Sequence, residues 1–306
     1  MKHKRFSLVI AAVMITALTL LSASSIARTH NTIASAQSTN DQIMAMMTTM
    51  NAGFEANGLD LRVDHADYIT SDESGEIGQT VFFNDRAKQI GAHFVPGDPR
   101  RGGRTNITYT IDQTEGAIDG LTQAQTNAAI IRAMTTWDSV NCSTIPINRV
   151  AAPAGDIGVV EFLSGLGGSP VIAADIVHAG WLPGGLLDPN VIAVTFTFVF
   201  LSGPGGPPSD IDNNGKQDTA FAETLYNDAF VWRINGNVDV ETVALHESGH
   251  ALSQGHFGKA FQTDSNGKIH FAPRAVMNAA YTGVQQEPAG TDNGGHCSIW
   301  ASWPNN

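Results

Sequence analysis

Only two cysteines occur in 306 residues, which excludes a disulfide-dense scaffold. Basic side chains are scarce too: 17 Lys and Arg against 29 Asp and Glu give a formal net charge of -12. An acidic chain is a poor partner for nucleic acid or an anionic membrane. The N-terminal apolar run, Ser7 to Ser22, is 16 residues long, short of the roughly 20 that a bilayer span needs. Lys2, Lys4 and Arg5 precede it and small residues follow, which is the pattern of a secretory signal peptide cleaved after Ala27 or Ala36. Residues 1–36 are therefore read as a signal peptide, and the mature protein as secreted or periplasmic, monomeric and free of the membrane. Losing them takes four basic and no acidic side chains and leaves a net charge of about -16. The two cysteines, Cys142 and Cys297, are an even count in an oxidising compartment and are read as one disulfide, with two separate buried thiols as the alternative.

What the chain does have is histidine in a pattern. In His246-Glu247-Ser248-Gly249-His250 the two histidines stand one helical turn apart on one face, so both imidazoles can reach one ion while Glu247 lies beside it. Asp239 suits an N-cap, Val243, Ala244, Leu245, Ala251 and Leu252 supply apolar surface, and Gly255 allows the chain to turn out. His256 then returns as a third nitrogen donor. Three protein ligands and one open position are how a catalytic zinc is held, whereas a structural zinc is closed by four.

This constellation resembles the metzincin metalloproteases, whose signature is H-E-x-x-H-x-x-G-x-x-H followed by a Met-turn. Val276-Met277-Asn278-Ala279-Ala280-Tyr281 is similar to that turn in the form matrixins use. The resemblance implies that Met277 underlies the three histidines and that Tyr281 walls the pocket for the residue after the scissile bond. It also implies an α+β, zincin-like fold: a twisted mixed sheet, two long helices (one carrying the histidines) and a small loop-rich C-terminal subdomain. The chain departs from the signature at Ser253, where the family has glycine, so the turn there is expected either to be strained or to pass its strain to Gly255. It departs again in the long segment Phe257 to Arg274, which reads as a hairpin around Asn266-Gly267.

Residues 37–104 read as an N-terminal extension, Met-rich at first and then with strand-like pieces such as Thr80–Phe83. They end in the breaker-laden, basic run Gly97–Arg104, which is either a site of propeptide release or part of an uncut extension packed on the main domain. Residues 105–306 form the expected catalytic domain. Ile107–Ile111 alternates like a strand, and Thr122-x-x-Gln125 is a capping box. The helix it opens carries Ala129, Ile130, Ala133, Met134 and Trp137 at core spacing. Further strands are expected at Ile157–Leu163 and Val191–Leu201, and the glycine-rich loops after them, with no Gly-Lys-Ser/Thr, read as turns.

Asp210, Asp212, Asn214 and Asp218 place oxygen donors around Gly215 like the opening of a calcium loop, although position twelve is Phe221 and not an acid. An ordinary solvated loop has the same composition. Tyr226–Trp232 resembles the matrixin strand that carries structural-metal ligands, but tyrosine replaces the family's histidine. His178, His270 and His296 read as ordinary surface or core histidines.

The chemistry expected is hydrolysis of a protein or peptide substrate, with zinc on His246, His250 and His256 activating water and Glu247 as general base. The substrate would lie extended along a sheet-edge strand. Two alternatives stand beside this: a non-catalytic exported binding or adhesion protein with a closed, structural metal site, and a zinc peptidase whose third ligand is a carboxylate such as Glu287.

Overall fold

A computed structural model describes residues 39–84, 91–114 and 117–305; the signal-peptide reading of residues 1–36 lies outside them. The fold is mixed α+β. In chain order it contains α1 (Thr39–Ala56), β1 (Leu61–Ser71), β2 (Thr80–Phe82), β3 (Ala92–His93), β4 (Ile107–Ile111), α2 (Gln123–Asp138) and β5 (Ile147–Arg149). Then come α3 (Val159–Ser164), β6 (Ile176–Leu182), β7 (Val191–Phe200), β8 (Gln217–Asn227), α4 (Val240–Ala251), β9 (Lys259–Gln262), β10 (Ile269–Ala272), β11 (Ala280–Tyr281) and α5 (Gly290–Trp300).

One mixed sheet runs β11-β1-β7-β8-β6-β4-β5, with β2 on β1 and β3 on β8. Strands β5, β4, β6 and β8 are parallel, whereas β7 is antiparallel to β8 and β1 antiparallel to β7. Successive side chains of a strand point to opposite faces. Val194, Phe196 and Phe198 of β7 join a core with Ile43, Met47, Met50 and Phe54 of α1, while the neighbouring Thr195 reaches α4. The other core, beneath α2 and α4, gathers Ala129, Ile130, Ala133, Met134 and Trp137 with Val243, Leu245, Met277 and Tyr281. The capping box is formed: Gln125 N donates to Thr122 Oγ1, and Gln125 Oε1 accepts from Thr122 N.

Two expectations need correction. Residues 159–164 are a helical turn and not a strand, because Gly158 (φ 128°) and Gly165 (φ 72°) break the extended backbone at both ends and the carboxylate of Glu223 accepts from Val159 N and Val160 N. Among the described residues the longest helices are α1 (18 residues) and α2 (16), and the histidine helix α4 has only 12. The Met-rich stretch is α1, with Met47 and Met50 buried.

The run Gly97–Arg104 is no loose linker. Arg101 is buried, with Nε 2.9 Å from Asp175 Oδ1, and Arg100 pairs with Asp98 and Asp218. Cys142 and Cys297 form a disulfide that ties the segment after α2 to α5. Strands β9 and β10 make the hairpin expected around Asn266-Gly267, where Gly267 has a φ of 69°.

Candidate metal centre

α4 begins where Asp239 accepts from Thr242 N at 2.9 Å. It is fixed against α2 by the Trp137 indole, which donates to the carbonyl of Leu245, the residue before His246, at 2.8 Å. His246 and His250 therefore leave the helix on one face. Leu252 ends it, and the turn falls on Ser253 (φ 66°), while Gly255 has no positive φ. The strain is therefore held by serine, whose hydroxyl donates to the Ala92 carbonyl at 2.7 Å. That turn brings His256 back: its Nε2 lies 3.2 Å from His250 Nε2, and His250 Nε2 lies 3.0 Å from His246 Nε2.

The tautomers follow from the far nitrogens. His246 Nδ1 is 2.7 Å from the Val276 carbonyl and His250 Nδ1 is 2.7 Å from the Gln254 carbonyl. A carbonyl only accepts, so both Nδ1 atoms carry the proton and both Nε2 atoms present lone pairs. Lone pairs facing each other at these distances repel unless a cation lies between them. Zinc–nitrogen bonds of about 2.0–2.1 Å at tetrahedral angles put ligand nitrogens roughly 3.3 Å apart, so the donor set fits zinc. Burial, and then the neighbouring imidazoles, hold His246 and His256 well below the usual histidine range, which keeps them neutral, the form that binds metal. Among the described residues no fourth side chain, Glu287 included, joins these three in a ligand group.

Glu247 is fully buried. Its Oε2 accepts from Thr195 Oγ1 at 2.7 Å, Thr195 Oγ1 also meets Thr224 Oγ1 at 2.8 Å, and its Oε1 has no hydrogen-bond partner. Burial, with a smaller push from Asp67, raises its carboxyl well above the ordinary value against the opposing Thr195 bond.

Residues 276–281 pack below. A methyl group built on Gly249 would stand 2.3 Å from Met277 Sδ, so helix and turn touch at that glycine. Asp292 of α5 holds the turn by accepting from Val276 N and Met277 N at 2.9 and 3.0 Å. The Tyr281 hydroxyl accepts from Asp239 N at 3.1 Å and donates to the Gly236 carbonyl at 3.3 Å, and burial raises its pKa to about 12. Tyr281, His246, Thr242, Val276 and Ile69 line one small cavity.

Sequence reasoning missed Thr195, Asp292 and β1. A threonine in a strand and an aspartate in a glycine-rich tail carry no local signature.

The other candidates lie elsewhere. Asp210, Asp212 and Asp218 converge, but Asp218 is engaged by Arg100 and Ser209, and the Asn214 oxygen accepts from Lys216 N. His178 is buried, with Nδ1 2.9 Å from the Tyr226 hydroxyl, and His296 stacks on Trp137.

No protein-family model matches the chain, and no curated protein matches it significantly.

Proposed function

We propose that the chain is an exported zinc-dependent endopeptidase of the metzincin type, similar to matrixins. One observation carries the reading: three Nε2 atoms converge, those of His246 and His250 with lone pairs fixed by carbonyls behind the rings, and the unpartnered Oε1 of Glu247 sits on the residue next to the first of them. The element order of strand, helix, strands, histidine helix and Met-turn supports it, as does the Met277 contact under Gly249.

His246, His250 and His256 would hold the metal. Zinc bound there supplies Lewis acidity toward water and a carbonyl oxygen. Glu247 takes the proton of the attacking water on Oε1 while Thr195 keeps Oε2 in place, and returns it to the leaving amine. Tyr281 and Ile69 bound the cavity beside His246 that receives a substrate side chain.

The test pairs metal analysis with cleavage of reduced casein. One zinc per chain is expected, lost in His256→Ala. Cleavage is expected to stop with a chelator and to fall by at least a thousand-fold in Glu247→Ala. A Glu247→Ala protein that cuts as fast as wild type overturns the assignment. The complete burial of Glu247 favours one competing reading, a closed structural site in a binding protein. That reading requires a fourth protein ligand, which X-ray absorption of the zinc-loaded protein would reveal.

A further inference from the structure

α5 is a poor helix by its own sequence. Three of its 11 residues are glycine, and Asp292, Asn293, His296 and Ser298 are weak helix formers too. An isolated helix of that length is marginal in water even with a better composition. What seats α5 is one stripe of three buried side chains, each a turn from the next: Asp292, His296 and Trp300.

Every member of that stripe grips the scaffold of the three histidines. Asp292 accepts from Val276 N and Met277 N, and the Val276 carbonyl accepts from His246 Nδ1. His296 stacks on Trp137, whose indole holds the Leu245 carbonyl. Trp300 Nε1 donates at 2.9 Å to the carbonyl of Leu252, the residue that ends α4.

The seat is not a strong one. His296 is 0% exposed, and neither of its ring nitrogens meets a donor or acceptor. A buried polar group without a partner is destabilising, and opening to water relieves it. Weak helix propensity and this imidazole therefore both favour release of α5. A covalent tie opposes it. Cys297 follows His296 in the chain, and its disulfide partner Cys142 stands just beyond α2, the helix that carries Trp137. The two cysteines are 155 residues apart, and a cross-link over so long a loop removes much of the entropy that opening would gain. Beside Cys142, the Ser143 and Thr144 hydroxyls donate to the Trp300 and Trp303 carbonyls, both at 3.2 Å. Cys142 is exposed and Cys297 half-buried, so the bond lies within reach of solvent.

We propose that the Cys142–Cys297 bond is a redox latch on the histidine centre, closed in an oxidising compartment and opened by a dithiol. One thiolate of the dithiol attacks Cys142 Sγ, the S–S bond breaks, and Cys297 leaves as a thiolate that takes up a proton. The second thiolate then displaces Cys142 from the mixed disulfide. The dithiol is oxidised to its disulfide, and the protein gains two electrons and two protons. With the latch open, α5 lifts and Asp292 lets go of the Val276–Met277 turn. His246 thereby loses the carbonyl that orients its ring, and the three nitrogens hold zinc less tightly. This rests on the zinc reading of the site and adds a regulation to it: the chain acquires a tight metal centre on leaving a reducing compartment.

The test uses the full chain loaded with zinc and a water-soluble phosphine, because dithiols bind zinc directly. The phosphine breaks the bond to two thiols and is itself oxidised to the phosphine oxide with oxygen from water. Zinc loss to a chromogenic chelator is expected to quicken about ten-fold or more on reduction. Cys142→Ser/Cys297→Ser is expected to lose zinc at that faster rate with or without phosphine. Asp292→Ala should be fast already and gain little from reduction. A reduced chain that releases zinc as slowly as the oxidised one overturns the latch, and equal acceleration in wild type and Asp292→Ala overturns the route through Asp292. Amide hydrogen exchange shows whether release is local. Val276 and Met277 amides should exchange about ten-fold faster after reduction while β7 and β8 stay protected, and loss of protection throughout the sheet would make the bond a general staple and refute the latch. If the chain binds no zinc, the metal reading fails by itself. The same exchange data then decide the latch, faster exchange confined to the turn supporting it and unchanged exchange refuting it.

Discussion

Gly249 and Met277 fit together without spare room: the hydrogen on the glycine Cα occupies a place where a methyl carbon would meet the sulfur at 2.3 Å, its methyl at 3.0 Å and Trp137 Cζ2 at 3.2 Å. The helix carrying His246 and His250 is thereby seated on the turn that also supplies the Val276 carbonyl to His246. Alanine is favoured over glycine in helices by about 1 kcal/mol, but overpacking a filled core costs about 1–3 kcal/mol. Gly249→Ala is expected to lower the urea-unfolding free energy by about 1 kcal/mol, and to weaken zinc binding. In the Gly249→Ala/Met277→Ala double variant the losses should sum to less than those of the single variants. Strict additivity would show that the two residues do not press on one another.

Thr195 is a positioning residue for Glu247. Thr195→Val removes the 2.7 Å bond to Oε2 but keeps the shape. A lost hydrogen bond to a charged group is worth about 1.5–3 kcal/mol. The expected result is a fall in kcat of about ten-fold or more with KM little changed and zinc content unaltered, and recovery in Thr195→Ser. A Thr195→Ser protein as slow as Thr195→Val would assign the residue to packing.

Ser253 holds a positive φ that glycine adopts freely, at a cost of about 1 kcal/mol, and offsets it with a hydroxyl bond to Ala92 of similar size. Ser253→Gly relieves the one and loses the other, so its stability should stay within about 0.5 kcal/mol of wild type. Ser253→Ala keeps the strain without the bond and should lose about 1 kcal/mol. Equal losses in denaturant titrations of both variants would contradict this account.

Acid stability should depend on Asp175. Burial pushes its carboxyl up, but Arg101, with Thr108 N and Arg104, outweighs that and holds it below the usual value of 3.8. A depressed folded pKa contributes stability that is fully present above the unfolded value and is lost as pH falls through the folded one. The contribution is therefore complete at neutral pH and disappears in the range below about pH 4. Arg101→Met strands a buried carboxylate and should cost about 3–5 kcal/mol at pH 7. Asp175→Asn should also lose stability at pH 7, but with a flatter decline of the urea midpoint between pH 5 and pH 2.5. A decline as steep as in wild type would place the acid sensitivity elsewhere.

Much of the centre could be read from neighbouring residues. The i, i+4 spacing of His246 and His250, the Asp239 cap, the Thr122 capping box and the Asn266-Gly267 hairpin are each settled within one or two turns of chain, where backbone geometry alone fixes which side chains meet. Ile157–Leu163 failed because its β-branched run looks like a strand, while the glycines at either side decide its conformation and Glu223, some sixty residues on, caps it.

What the sequence determined by itself was therefore the local chemistry: which nitrogens face one ion, which carboxylate stands next to them, and where the helices begin. Only the tertiary structure decided how Glu247 is held and what covers it. Thr195 lies 52 residues from the glutamate it holds, and Asp67 nearly two hundred from the histidine it approaches. Strand partners are chosen by burial and register over the whole sheet, and no spacing along the chain records that choice.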